Sequence, residues 1–211
     1  MAPQFGPEFQ HELAELLAWR RDVRHFRRDP LGEELVAELL EAAQLAPSVG
    51  NSQPWRFVRV RSPDLREKLA GHADSEIARA GASMPADRRA AYAALKLHGM
   101  REAPEVIAVF CDDAASAGSG LGAATMPETR GFSVVLAIHT LWLAARARGL
   151  GLGWVSVVDP AHVTRLLEAP RNWRLIALLC IGHPEEPDVR PELERKGWQA
   201  RLDWRAQVSE R

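Results

Sequence analysis

The sequence predicts one domain of interleaved helices and strands. Three observations carry this: a length of 211 residues, a composition of 46% hydrophobic and 26% charged residues, and helix-spaced apolar positions alternating with unbroken apolar runs of strand length. The length suits a single core spanning residues 1–211, and the composition excludes a disordered chain or a coiled coil. Periodicity alone leaves a doubly wound α/β sheet and an α+β arrangement both open. Twenty-seven Lys and Arg stand against 28 Asp and Glu, and the resulting net charge of -1 removes the broad basic field on which nucleic-acid binding rests.

Each element follows from local pattern. Leu13, Leu16, Leu17 and Arg20 fall on helical spacing, so the chain opens with a helix running towards Trp19. After Pro30 and Gly32, the set Leu35, Val36, Leu39, Leu40 and Ala43 marks a second helix, stopped by Pro47. Ser48 to Pro54 is a loop and Trp55 to Val60 a strand. Ser62-Pro63-Asp64 offers an N-cap with proline at the first helical position, and Gly71 offers the stop of a short helix. From His72 to Arg101 the chain is Ala-rich and charged with a weak apolar stripe, which makes it a lid candidate lying over the body.

Val106 to Phe110 has strand length, and Asp112 to Met126 is a Gly/Ala/Ser-rich loop. Phe132 to Leu143 is apolar nearly all round, the pattern of a helix buried on most faces or at a subunit interface, with Gly149 as its stop. Leu152 to Val158 is a strand, Asp159-Pro160 caps a further helix, and Leu175 to Ile181 is a fully apolar strand. The tail from Pro184 to Arg211 carries three prolines and two tryptophans without a core pattern, so it is expected to pack as an arm on a partner subunit. Cys111 and Cys180 adjoin apolar runs and read as buried thiols of a reducing compartment. With no basic-then-apolar leader pattern near residue 1 and no membrane-length apolar window, a cytoplasmic location without a membrane partner is expected.

Two clusters carry chemistry. Arg20-Arg21-Asp22-Val23-Arg24 gathers three guanidinium groups at a helix end, where they suit a phosphate or an anionic ring edge; the plainer reading is a solvated helix terminus. Ala46-Pro47-Ser48-Val49-Gly50-Asn51-Ser52-Gln53-Pro54-Trp55 puts hydroxyls and amides in one compact loop able to bond the polar edge of a flat heteroaromatic ring, or to be an ordinary turn. Asp22 is pulled two ways, since neighbouring arginines lower a carboxyl pKa and burial raises it, so general acid or base work and a structural ion pair are both open. Ser156 sits in an apolar run where a hydroxyl needs a partner. The seven histidines are scattered without metal-ligand spacing, so no metal is expected, and Gly149-Leu150-Gly151-Leu152-Gly153 leads into a strand rather than opening a helix, which leaves a Rossmann nucleotide site unsupported.

In order and spacing, RRDVR followed by APSVGNSQPW before a strand resembles the nitroreductase-like flavoproteins. MPETR at Met126 to Arg130, LWLAARARGLGLGWVSVVDP from Leu141 to Pro160, and RPELERKGWQAR from Arg190 to Arg201 are similar to the flavin-destructase branch of that family, the 5,6-dimethylbenzimidazole synthases; the resemblance covers nearly the whole chain. It implies a three-layer α+β fold with a mixed central sheet flanked by helices, and a homodimer that holds FMN between subunits. It implies flavin-binding positions at Arg20, Arg21, Asp22, Val23, Arg24, Ser48, Gln53, Ser156 and Arg201, with Arg201 on the phosphate, and a catalytic pair of Asp22 and Ser156. Phe132 stands where many relatives carry tyrosine, which puts only a hydroxyl in question.

The activity so implied is oxygen-dependent fragmentation of reduced FMN, as substrate, to 5,6-dimethylbenzimidazole and erythrose 4-phosphate, with a separate flavin reductase as the source of reduced flavin. The alternatives are an NAD(P)H-dependent nitro or quinone reductase, a halotyrosine dehalogenase, and a non-catalytic flavin-binding protein. Aspartate at position 22 and the lid segment count against the first, and no persuasive zwitterion-binding set supports the second.

Overall fold

A computed structural model of the chain describes residues 3–211. Among these the order is α1 (Pro7–Trp19), α2 (Glu33–Ala43), β1 (Trp55–Arg59), α3 (Pro63–Ala82), α4 (Ala86–Ala93), β2 (Glu105–Asp112), α5 (Thr129–Ala147), β3 (Gly151–Val155), α6 (Pro160–Leu166), β4 (Trp173–Gly182) and α7 (Glu192–Arg195). The strands form one sheet in the order β1-β2-β4-β3.

Strand alternation builds the layers. Ile107, Val109, Leu179 and Ile181 point to one face, where they pack with Leu39 and Ala43 of α2 and Val134, Ile138 and Leu141 of α5. Val106, Ala108, Phe110, Leu178 and Cys180 point to the other face, against Leu69 and Ala73 of α3 and Val163 of α6. Helices therefore cover both faces, and every residue of β2 is buried. Burying one large aliphatic or aromatic side chain in this way contributes roughly 1.5–3 kcal/mol. Cys111 and Cys180 lie in these buried strands as free thiols, and burial pushes each up to about 12, so both are inert thiols.

The three-layer α+β architecture agrees with expectation, with a difference in strand sense. The strands pair antiparallel throughout, and the parallel component of the expected mixed sheet is a single bridge between Asp22 and Leu152. Residues 20–24 run beside β3 too briefly to form a strand, although the Val23 N–H donates to the Leu152 carbonyl at 3.0 Å.

One further expectation changes. The helix expected to stop at Gly71 instead runs 20 residues, from Pro63 to Ala82, because Leu69, Ala70 and Ala73 bury one stripe of it and an interior glycine costs only about 1 kcal/mol. The lid candidate, residues 72–101, thus begins as the continuation of an anchored helix. Helix α5 buries Val134, Ile138 and Leu141 and leaves Phe132, 54% exposed, together with Val135 and Leu136 open on this chain. Helix α1 packs against α5, and Phe5, Phe9, Leu13, Leu17 and Trp19 of the α1 region are exposed as well. Part of the arm docks on its own chain. Arg88 of α4 donates to the Trp198 carbonyl at 2.8 Å, its guanidinium lies 4.1 Å above the Trp198 ring, and Tyr92 meets that ring at 6.1 Å. Leu202, Trp204 and Val208 beyond it are exposed.

Candidate active site

The site begins with two glycines of β3. A Cβ on Gly151 would lie 2.7 Å from the Val23 side chain, and one on Gly153 would lie 2.1 Å from the Val23 carbonyl oxygen. Their missing side chains let residues 20–26 lie directly on the strand. That contact aims Asp22 back at β3, where Oδ1 accepts the Trp154 backbone N–H at 2.8 Å. Oδ2 accepts both Nε and Nη2 of Arg24, at 3.0 and 2.7 Å. Burial pushes the Asp22 carboxyl above the ordinary carboxylate range, against the opposing pull of Arg24 and the Trp154 N–H. The third Arg24 donor, Nη1, reaches the Lys96 carbonyl at 3.1 Å in the lid candidate, so this guanidinium orients Asp22 and ties it to that segment.

Arg20, Arg21 and Arg201 surround a pocket with Asp22, Arg24, Glu192 and the arm residues Pro191 and Leu193. Arg21 holds the arm: its Nε donates to the Val189 carbonyl at 2.6 Å. Arg20 stacks 4.7 Å from the Trp142 ring. Burial lowers the pKa of both Arg20 and Arg21, and the nearby charge of Arg201 lowers each further.

The remaining expected residues fall elsewhere. Ser48 and Gln53 lie on the loop after α2, whose Val49 N–H donates to Ser133 Oγ of α5 at 3.0 Å. Ser48 Oγ accepts the Gln53 N–H at 3.1 Å, and Gln53 Nε2 donates to the Asn51 carbonyl at 3.1 Å. Gly50, Asn51 and Gln53 all have φ between 45° and 55°, a left-handed cluster that is costly at the two non-glycine positions and typical of loops shaped for function. Ser52 in this loop is buried, and its Oγ has no hydrogen-bond partner among the described residues. Ser156 is not inside a strand. The ladder with β4 ends at Val155, and Ser156 is exposed in a depression with Glu76, Arg79, Ala80, Ser83, Val157 and Val158, apart from the arginine pocket.

The family model described as the nitroreductase family matches residues 17–183, from the end of α1 to just beyond β4. The chain belongs to the nitroreductase family. It is 60% identical over 199 residues to a protein of Rhodospirillum rubrum named 5,6-dimethylbenzimidazole synthase, covering 94% of each. A protein of the same name from Rhodobacter capsulatus is 52% identical over 198 residues, covering 94% of this chain and 96% of the relative. Among solved structures, an iodotyrosine deiodinase bound to FMN and 3-iodo-L-tyrosine superposes with a TM-score of 0.71 at 27% identity, covering 83% of this chain and 91% of that one.

Within this nitroreductase-family frame, the residues present fit a phosphate-bearing flavin. Three guanidinium groups that repel one another are stabilised by an anion placed among them. Sequence reasoning found these arginines and Asp22 but missed Gly151 and Gly153, which seat them. The signal was available: two glycines two residues apart in a strand open the same face to a close backbone approach. It missed Trp154 as well, because a backbone N–H leaves no mark in a sequence.

Proposed function

We infer that this chain catalyses the oxygen-dependent fragmentation of reduced FMN, consumed as substrate, to 5,6-dimethylbenzimidazole and erythrose 4-phosphate. The observation that carries the reading is the fixing of Asp22. Both of its oxygens are held, by the Arg24 fork and the Trp154 N–H, at the edge of a pocket where four arginines outnumber Asp22 and Glu192. The named relatives at 60% and 52% identity point to the same reaction.

Bound reduced flavin supplies the electrons that activate O2 and the carbon framework that becomes product. Arg20, Arg21 and Arg201 bind and orient it through phosphate or ring-edge contacts, and Val23 places its backbone beneath them. Asp22, its carboxyl raised by burial, holds or takes a proton at Oδ1, whose remaining lone pair the Trp154 N–H leaves open, and Arg24 acts through it by holding Oδ2. Ser156 donates or accepts a proton through its exposed hydroxyl, and Ser48 and Gln53 bond the ribityl chain or ring. Residues 72–101 exclude water above the site.

The expected residues fall in three groups on one chain: the arginine pocket with Asp22, the Ser48–Gln53 loop, and the depression that holds Ser156. A homodimer that shares each flavin between two copies accounts for this division, and the exposed apolar residues of α1 and α5 supply its interface. The exposed end of the arm, from Leu202 onward, reaches the second copy. Reduced FMN arrives from a separate flavin reductase in the cytoplasm. Deleting the chain from Pro191 onward removes Arg201 and the Trp198 contact, and lowers FMN affinity and dimer stability together. A monomer that sediments at micromolar concentration with FMN tightly bound contradicts the shared site.

A further inference from the structure

Between the end of β3 at Val155 and the start of α6 at Pro160 lie four residues, Ser156 to Asp159. The far end is pinned twice through Asp159. Its Oδ1 accepts the Ala161 N–H at 2.9 Å and caps α6. Its own backbone N–H turns the other way and donates to Nε2 of His72, on α3, at 2.9 Å. An amide N–H only donates, so Nε2 is the acceptor and the ring is neutral, with its proton on Nδ1. His162, in the first turn of α6, stacks on that ring with centroids 4.0 Å apart and planes 16° apart. One imidazole thus meets the loop through a hydrogen bond and the helix beyond it through its face.

The charged and titratable groups facing His72 are His162 and Asp159 from the α6 side and Glu76 and Arg79 along α3. Burial holds its pKa below the ordinary histidine value, the adjacent His162 adds to this, and Glu76 and Asp159 oppose it. A proton on Nε2 sets two donors face to face and places charge against the second imidazole. Glu76, Arg79 and Ala80 of α3, with Ser83 just after it, line the depression with Ser156, so the His72 contact fixes the distance between that hydroxyl and the start of the lid segment.

We propose that His72 is the positioning residue for Ser156: as a neutral imidazole it holds the Ser156–Asp159 segment on α3, and protonation releases it. The catalytic consequence rests on the role given to Ser156 above; the hold itself does not.

Hydrogen–deuterium exchange of the full chain without flavin tests the hold. Residues 156–162 are followed at pH 7.5 and 5.5, corrected for intrinsic exchange, in wild type, His72→Gln and His72→Leu. Wild type exchanges slowly at pH 7.5 and about tenfold faster at pH 5.5, the change expected when a local hydrogen bond is lost. Gln offers an amide oxygen at similar reach that does not titrate, so it protects at both values; Leu protects at neither. In turnover, His72→Leu lowers the product-forming rate about tenfold with FMN affinity unchanged, and His72→Gln restores the rate and removes the His72 step from the acid side of its pH profile while keeping the Asp22 limb. Equal exchange in all three proteins overturns the proposal. Differing exchange with identical product rates and pH profiles overturns the link to Ser156. Exchange as expected with no benzimidazole formed by wild type upholds the hold and overturns the proposed function instead.

Discussion

Asp22 accepts the backbone N–H of Trp154 through Oδ1 at 2.8 Å, which ties the carboxylate of an irregular segment to a strand of the central sheet. Its other oxygen is gripped by Arg24. A carboxylate held at both oxygens cannot swing away as ligand enters, so little reorganisation is needed when a proton moves.

The Asp22→Asn variant keeps the Trp154 contact through its amide oxygen and loses the charge. It is expected to bind FMN within about threefold of wild type and to form product at least about a hundredfold more slowly, the scale of a lost general acid or base. Flavin titration and a product assay on the same preparation check this. In wild type, the acid limb of the product-forming rate lies above the ordinary carboxylate pKa of about 3.9, because burial raises the Asp22 carboxyl.

Gly153→Ala places a methyl group 2.1 Å from the Val23 carbonyl, a contact with backbone that no side-chain rotation relieves. The segment carrying Arg20 to Arg24 must lift from β3. A stability loss of about 3 kcal/mol, read from denaturant midpoints, and a parallel loss of FMN binding are expected.

How much of this was legible in the sequence differs by kind. The apolar runs of β2 and β4 and the helical spacing of α2 announced the layers, because burial on both faces forces such patterns. The antiparallel sense of the strands was not legible, since an apolar run carries no direction. Gly71 misled because its neighbours Leu69, Ala70 and Ala73 supply burial that outweighs the cost of a glycine. At the site, Arg20 to Arg24 were legible through clustering. Ser156 falls inside an apolar pattern that Val157 and Val158 extend past the end of the ladder, so its place outside the strand leaves no mark in the sequence. His72 and His162 stand ninety residues apart, and only the fold stacks them.

Arg20→Ala removes a guanidinium whose partner in the chain is the Trp142 ring. Loss of a charge-assisted contact to a bound anion costs about 1.5–3 kcal/mol, so FMN affinity is expected to fall about tenfold to a hundredfold while thermal stability stays near wild type. Fluorescence titration and a melting curve separate the two effects.

The His72 contact also predicts a direction for stability against pH. The folded-state pKa of His72 lies below its unfolded value of about 6.5, so as pH falls the unfolded chain takes up this proton first. The contribution is complete above about pH 6.5 and is lost as pH falls towards the folded-state value. Urea midpoints at pH 7.5 and 5.5 should therefore differ more in wild type than in His72→Gln.

The central claim is that flavin is consumed. The most direct measurement loads the protein with reduced FMN without oxygen, admits air once, and quantifies flavin and 5,6-dimethylbenzimidazole in the quenched mixture. Irreversible loss of FMN matched mole for mole by benzimidazole is the expected result. Full recovery of oxidised FMN with no benzimidazole, from protein shown to have bound the flavin, would contradict it.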